Sequence, residues 1–225
     1  KAIIPVHMLG AVSDMNGIIK VAKKHKLLVL EDCAQSCGAS YKGKRAGSIG
    51  DAGIYSFQLN KIITTGEGGA FVTSNFAFYE RAVRCHDHGS FRVGKDTGQT
   101  PLIGEGYRMC EINGAIARVQ LRRLDGILAK LRYAKNYIKK GVSGIRGIYF
   151  RKEADPDGDA AAALIFFVSG KYRALEVIRA LNAENIRALQ MYNGVLAYNQ
   201  PQFLKQNTVS KTGYPFKYPG ARKVV

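Results

Sequence analysis

Apolar residues along the chain fall alternately into short continuous runs and stretches spaced three and four apart, the marks of strands and helices in turn. Residues 2–6, "AIIPV", predict a buried strand. A helix follows, capped by Ser13 or Asp14 and running to His25, with Met15, Ile18, Ile19 and Ala22 on one face. "KLLVLED" at 26–32 is a short apolar run of the type covered on both faces of a sheet. After the turn-rich stretch 41–51, "AGIYSF" at 52–57 and "GGAFVTS" at 68–74 predict two more strands. A long amphipathic helix spans 111–140. Residues 161–169 read as a strand, and 171–186 as a helix with Ala174, Val177, Ile178 and Leu181 inward. The stretch 198–220 is rich in turn residues and takes no element. Such alternation predicts an α/β fold with a mostly parallel or mixed sheet. A shift in composition at 141–147 marks a second, smaller α/β unit after the long helix.

Composition changes this picture little. The 225 residues are enough for one large domain or two small ones, and 46% hydrophobic with 23% charged residues is the balance of an ordinary globular protein. No apolar run approaches the length of a membrane span, and "KAIIPVHMLG" is not a signal peptide, so the expected compartment is the cytoplasm. That opening enters a strand-like run without a starting methionine, as a fragment of a longer protein would. Cys33, Cys37, Cys85 and Cys110 lack paired metal spacing and are expected to be reduced, mostly buried thiols. "HDH" at 86–88 has no further acidic or histidine cluster to support a metal, so none is expected.

A net charge of +17 permits a nucleic acid, an acidic small molecule or an acidic partner segment. Basic residues concentrate only along the long helix, where Arg118, Arg122, Arg132, Lys135 and Lys139 recur at helical spacing. A solvated helix face is the simpler reading, because no zinc-finger or aromatic RNA-binding motif accompanies it. Neither a nucleic acid nor a membrane is expected as a partner.

Open α/β sheets place their sites at the carboxyl ends of strands. "LLVLEDCAQ" delivers Glu31, Asp32 and Gln35 to one such end, and "IYSFQLNK" delivers Ser56, Asn60 and Lys61 to another. A carboxylate can keep a pyridine nitrogen protonated, a lysine can form a Schiff base, and a serine hydroxyl can bind phosphate. Together these are the requirements of a pyridoxal 5'-phosphate (PLP) site. Desolvation favours the neutral, nucleophilic amine of a lysine. Taken singly, Asp32 reads as a loop carboxylate and Lys61 as a solvated side chain; their occurrence at two strand ends is what raises the chemical reading.

The blocks "IPVHMLG", "VLEDCAQSCGASYKGKRAGSIGDAGIYSF", "NKIITTGEGGAFVTS", "HDHG" and "GYRMCEINGAIARVQLRRLD" occur in that order. They closely resemble the signature blocks of the DegT/StrS-type aminotransferases, PLP enzymes that aminate keto-sugars and keto-cyclitols. The resemblance is dense over 4–132 and thin beyond. It implies an aspartate-aminotransferase-like fold, with 1–125 as part of the PLP-binding large domain. Residues 126–225 would then form a linking helix and part of a smaller C-terminal α/β domain. By position, the resemblance makes Lys61 the lysine that holds PLP and shuttles a proton. Asp32 becomes the partner of the pyridine nitrogen, Gln35 the residue on the ring's oxygen side, and Ser56 a hydroxyl on the phosphate. Gly66, Gly68 and Gly69 would let the chain turn close beside Lys61. Relatives that dehydrate sugars have histidine where this chain has Lys61, so the resemblance favours transamination over dehydration.

The implied reaction takes nitrogen from glutamate or glutamine and delivers it to a keto or aldehyde group on a nucleotide-linked sugar, octulosonate or cyclitol. A homodimer with shared sites is the family expectation. "SFQLNK" is closer to the cyclitol and octulosonate enzymes than to those acting on nucleotide sugars. Two departures stand out. Gly106 occupies the place of an asparagine that in the family reaches the phosphate of a neighbouring subunit's cofactor. The family's upstream phosphate turn and stacking aromatic have no counterpart in the chain. A truncated or degenerate PLP-fold protein with an interaction role is therefore the alternative from another class.

Overall fold

The computed structural model describes residues 1–89 and 102–191. Contacts divide the chain into two compact units, Lys1–Phe166 and Phe167–Val225.

The first unit opens with β1 (Ala2–Ile3), a single 3-10 turn at Met8–Gly10 and α1 (Met15–His25). Asp14 caps α1, its carboxylate accepting from the Gly17 N–H, and Lys26 ends it in the left-handed conformation. Then come β2 (Leu28–Asp32), a small hairpin of β3 (Ser40–Tyr41) and β4 (Lys44–Arg45), β5 (Ala52–Ser56) and β6 (Gly69–Val72). Two helices follow, α2 (Phe76–His86) and the 32-residue α3 (Glu111–Val142), and then β7 (Ile148–Phe150). The four-stranded sheet runs β1–β2–β5–β6. The first three strands are parallel, and β6 returns antiparallel to β5. Asp32 stands opposite Ile54, and Ser56 opposite Gly69. The carboxyl ends of β2 and β5 and the start of β6 therefore share one edge of the sheet. The fold is α/β with a mixed sheet, as the alternation predicts.

The core lies on one face of this sheet. Val29 of β2 and Cys33 pack with Val12, Met15 and Ala22 from the α1 side and with Leu124 and Leu128 of α3, while Ile18 and Ile19 close its margin. Burying a side chain such as Leu128 contributes about 1.5–3 kcal/mol, so the middle of α3 is fixed by packing rather than by propensity.

Several expectations change. The strand 2–6 is neither buried nor continuous: Ile4 and Val6 are exposed, and Pro5, which lacks an N–H, interrupts the ladder before Val6 rejoins it beside Asp32. β2 is not equally covered on both faces. Val29 and Glu31 are buried, Leu30 and Asp32 half-buried, and Leu28 exposed. Of the strand predicted at 161–169, only β8 (Phe166–Val168) forms, across the boundary between the units. Ala160 and Ala161 are instead buried as loop, Ala161 in the left-handed region with its N–H on the Asp159 carboxylate. The basic face of α3 is not uniformly solvated. Lys135 is buried between Glu153 and Asp159, and Arg132 donates to the Asp159 carbonyl. Helix α2, capped by Asn75, appears where no element was predicted.

In the second unit, α4 (Lys171–Ala183) carries Ala174, Val177, Ile178 and Leu181 half-buried, as its spacing predicts. The stretch 198–220 lies outside the described residues. Among the described residues no helix is long and apolar enough to cross a membrane.

Candidate active site

The edge shared by β2, β5 and β6 gathers the predicted residues. Asp32, the last residue of β2, is half-buried; its Oδ1 accepts from the Ala34 N–H at 2.9 Å, which folds the chain into a turn. Among the described residues its Oδ2 accepts nothing. Two residues beyond Ala34's neighbour Cys33, at Gln35, the side chain reaches back: the Leu9 N–H donates to Oε1 at 3.2 Å. Because a backbone N–H can only donate, this contact identifies Oε1 as the oxygen, and among the described residues the amide NH2 donates to nothing.

Ser56 ends β5, and its Oγ accepts from the Gln58 N–H at 3.3 Å, which leaves its own O–H to donate elsewhere. Lys61 lies in the turn between β5 and β6, its N–H on the Gln58 carbonyl at 3.0 Å. Its side chain is half-buried, and among the described residues its amine makes no hydrogen bond or ion pair.

The turn around Lys61 is locally determined. Phe57 donates to the Gly68 carbonyl, and its own carbonyl accepts from the Thr65 N–H and the Thr64 hydroxyl. Thr65, buried, donates its hydroxyl to the Glu67 carbonyl at 2.7 Å. Gly68 has φ 153°, and a Cβ there would stand 2.7 Å from Thr65 Oγ1 and 2.9 Å from Met109 Cε. Only glycine fits this position. Thr64 and Thr65 are the residues that the sequence reading missed; a pair of hydroxyls directly before a glycine-rich turn is the signal that marks them.

Behind the edge, Glu31 is fully buried and accepts four hydrogen bonds: from His7, and from the N–H groups of Gly47, Ile49 and Gly50, at 2.6–3.0 Å. Burial pushes its carboxyl up, but the bonds from His7, Gly47, Gly50 and Ile49 outweigh that and hold it below the usual carboxylate range. The Ser13 N–H donates to His7 Nδ1, so Nε2 carries the proton and faces Glu31. His7, Glu31 and Cys33 lie close enough to hold a metal ion. That tautomer occupies the nitrogen a metal would need, and burial raises the Cys33 thiol to about 12. The hydrogen-bonded His7–Glu31 pair, with Cys33 buried beside it, is a support next to Asp32. At the other departure noted in the sequence, the His88 ring fills the space beside Gly106: a Cβ there would meet its Cε1 at 2.7 Å.

A sequence profile of the DegT/DnrJ/EryC1/StrS aminotransferase family matches residues 1–217. The chain belongs to that family. It is 45% identical over 134 residues to a GDP-perosamine synthase of Caulobacter vibrioides, covering 57% of this chain and 34% of that protein. It is 33% identical over 156 residues to a putative L-glutamine:3-amino-2,3-dideoxy-scyllo-inosose aminotransferase of Streptoalloteichus tenebrarius, covering 69% of this chain and 38% of that protein. Among solved structures, the aminotransferase from Psychrobacter cryohalolentis superposes with a TM-score of 0.77 at 28% identity, over 99% of this chain and 60% of that one. The chain thus spans little more than a third of the length of these curated relatives. The Asp32 carboxylate, the Gln35 amide, the Ser56 hydroxyl and the Lys61 amine, which has no partner among the described residues, lie at or just beyond one edge of the sheet.

Proposed function

We propose that the chain is part of a PLP-dependent aminotransferase that moves an amino group from glutamate or glutamine to a keto or aldehyde group of a sugar or cyclitol, in amino-sugar biosynthesis. The observation that carries this reading is half-buried Lys61, whose amine has no partner among the described residues, in the turn at the sheet edge beside which Asp32, Gln35 and Ser56 also lie. The donor set fits PLP. Asp32 Oδ2 would hold a protonated pyridine nitrogen, the Gln35 NH2 would meet the ring oxygen, and the Ser56 O–H would bind a phosphate oxygen. When bound, PLP would supply the aldehyde that carries the amino group between donor and acceptor and a ring that acts as the electron sink.

The protein's part is to hold and to move protons. Asp32 would hold the ring nitrogen in its charged form, and Lys61 Nζ would carry a proton from the donor's Cα to the cofactor in the first half-reaction and from the cofactor to the acceptor carbon in the second. Lysine at position 61, in place of the histidine of the sugar-dehydrating relatives, supports transamination. Relatives named as GDP-perosamine synthase and as L-glutamine:2-deoxy-scyllo-inosose aminotransferase support a keto-sugar or cyclitol acceptor, with glutamine as one donor. A homodimer in the cytoplasm belongs to this same reading. So does the division into part of a large cofactor domain over 1–125 and, over 126–225, a linking helix with part of a smaller α/β domain.

The test is a visible absorption spectrum of the protein with PLP, for wild type and Lys61→Ala. A Schiff-base band that borohydride bleaches and the variant lacks establishes Lys61 as the cofactor lysine. Transfer of 15N from glutamine labelled at its α-amino group to 2-deoxy-scyllo-inosose or to a GDP-linked 4-keto-6-deoxy sugar then separates the two acceptor classes. Absence of the band from both proteins would overturn the catalytic reading and favour an interaction role.

A further inference from the structure

The Met8–Gly10 turn is held from two sides. Leu9 sits in the left-handed region, φ 49° and ψ 46°, a conformation that a leucine keeps only where its surroundings impose it. On one side its N–H groups hold Gln35: Leu9 donates to the side-chain Oε1, and Gly10 donates to the Gln35 carbonyl at 2.9 Å. On the other, its carbonyls are held by a segment more than 140 residues away. Arg151 Nη1 donates to the Met8 carbonyl at 2.8 Å and Nη2 to the Leu9 carbonyl at 3.3 Å, while Ala160 donates to the Gly10 carbonyl at 3.0 Å. Gly10 completes the fit, since a Cβ there would stand 2.7 Å from Asp159 Oδ1 and 2.9 Å from the Ala162 nitrogen. The Arg151 guanidinium is itself mostly buried and lies 3.9 Å from Glu153, which Lys135 also engages at 2.6 Å.

We infer that Arg151 is a positioning residue for Gln35. Its planar fork spans two consecutive carbonyls, which the single ammonium of a lysine cannot do with equal geometry. By fixing the Met8 and Leu9 carbonyls it fixes the direction of the Leu9 N–H. That N–H in turn decides which end of the Gln35 amide faces outward. Without it the amide is free to flip and present oxygen where a donor is required. The inference rests on the reading of Gln35 as a cofactor-facing residue, although the coupling of Arg151 to the turn stands apart from it.

A double-mutant cycle on the full chain tests it, with Arg151→Met and Gln35→Leu and with PLP affinity read by absorbance. Arg151→Met is expected to weaken PLP binding about tenfold with Gln35 present and less than about twofold with Gln35→Leu, the scale of charge-assisted hydrogen bonds. Arg151→Lys, which keeps the charge and the packing, should recover part of the loss and serves if Arg151→Met does not fold. Equal losses in both backgrounds, or none, overturn the inference. Amide hydrogen exchange of the protein without PLP supplies a readout free of the cofactor. Leu9 and Gly10 should exchange at least about tenfold faster in the Arg151 variants while Val29, in the core strand, is unchanged. If wild type binds no PLP, the aminotransferase reading fails and the exchange alone decides the positioning role; protection of Leu9 and Gly10 equal to wild type refutes it.

Discussion

The Nε2–H of His7 donates to Glu31 at 3.0 Å with both side chains fully buried, one residue before the carboxylate that faces the candidate site. A buried charge persists only where its hydrogen bonds replace water. Glu31 has four donors in place, so β2 is locked to the 47–50 loop and to the segment before the Met8–Gly10 turn. Asp32 inherits that rigidity through the backbone, which the His7 N–H and the Pro5 carbonyl also grip.

Glu31→Gln should cost about 2–3 kcal/mol, because both carboxylate oxygens face only donors and an amide NH2 would oppose two of them. The carboxyl is held below its ordinary value of 4.5, so it contributes stability that is present above that pH. That contribution falls away as the pH drops below 4.5 and through the folded-state value. Urea midpoints measured from pH 7 down to pH 3 should therefore decline for wild type and decline less steeply for the variant. Parallel curves would show that Glu31 is not part of the acid transition.

The four cysteines divide into two pairs. Burial pushes the Cys33 thiol up to about 12 and the Cys37 thiol to about 11, and both are enclosed in the core, whereas Cys85 and Cys110 are exposed. Iodoacetamide at pH 8 under native conditions should label Cys85 and Cys110 and spare the other two, as read by peptide mass spectrometry, because the thiolate is the reacting species. In denaturant all four should react.

The sheet and the site were legible in the sequence to different depths. Apolar runs located β2, β5 and β6, and the spacing of Met15, Ile18, Ile19 and Ala22 located α1, since a helix face and a strand obey fixed periods. Asp32, Ser56 and Lys61 were legible as residues at strand ends, and the structure brings those ends to one edge. The burial of Lys135 was not legible, because its partners Glu153 and Asp159 come from a loop 18 and 24 residues away. Nor was the loop form of 160–161, where apolar residues follow the shape of Asp159 and Gly10 rather than any strand period. α2 was overlooked although Phe78, Ala82 and Val83 of "FAFYERAVRCH" recur at helical spacing; in the fold they are only half-buried, and the one buried residue of the helix is Arg84.

Gly106→Asn should be tolerated with a loss below about 1 kcal/mol. The position does not need positive φ, and its obstruction is the exposed and movable His88 ring rather than backbone. His88→Ala should abolish that loss, giving a coupling energy between the two sites in thermal unfolding. Additive effects would mean that the ring is not what crowds position 106. With PLP present, the same pair of variants shows whether an asparagine restored here tightens cofactor binding once the imidazole is out of its way.

Lys135→Met tests the ion cluster that ties α3 to the loop behind the Met8–Gly10 turn. Lys135 donates to both Glu153 and Asp159, and all three side chains are buried. Removing the ammonium strands two carboxylates in a low-dielectric setting, and the expected cost is about 3–5 kcal/mol. Glu153 retains Lys139 at 3.8 Å and Arg151 at 3.9 Å, so most of the loss should fall on Asp159, which keeps no comparable cation among the described residues. Asp159→Asn in the Lys135→Met background should then recover part of the stability, whereas Glu153→Gln in the same background should recover less. Chemical denaturation of the three variants distinguishes this from a simple packing role for the Lys135 stem, under which neither second change would restore anything.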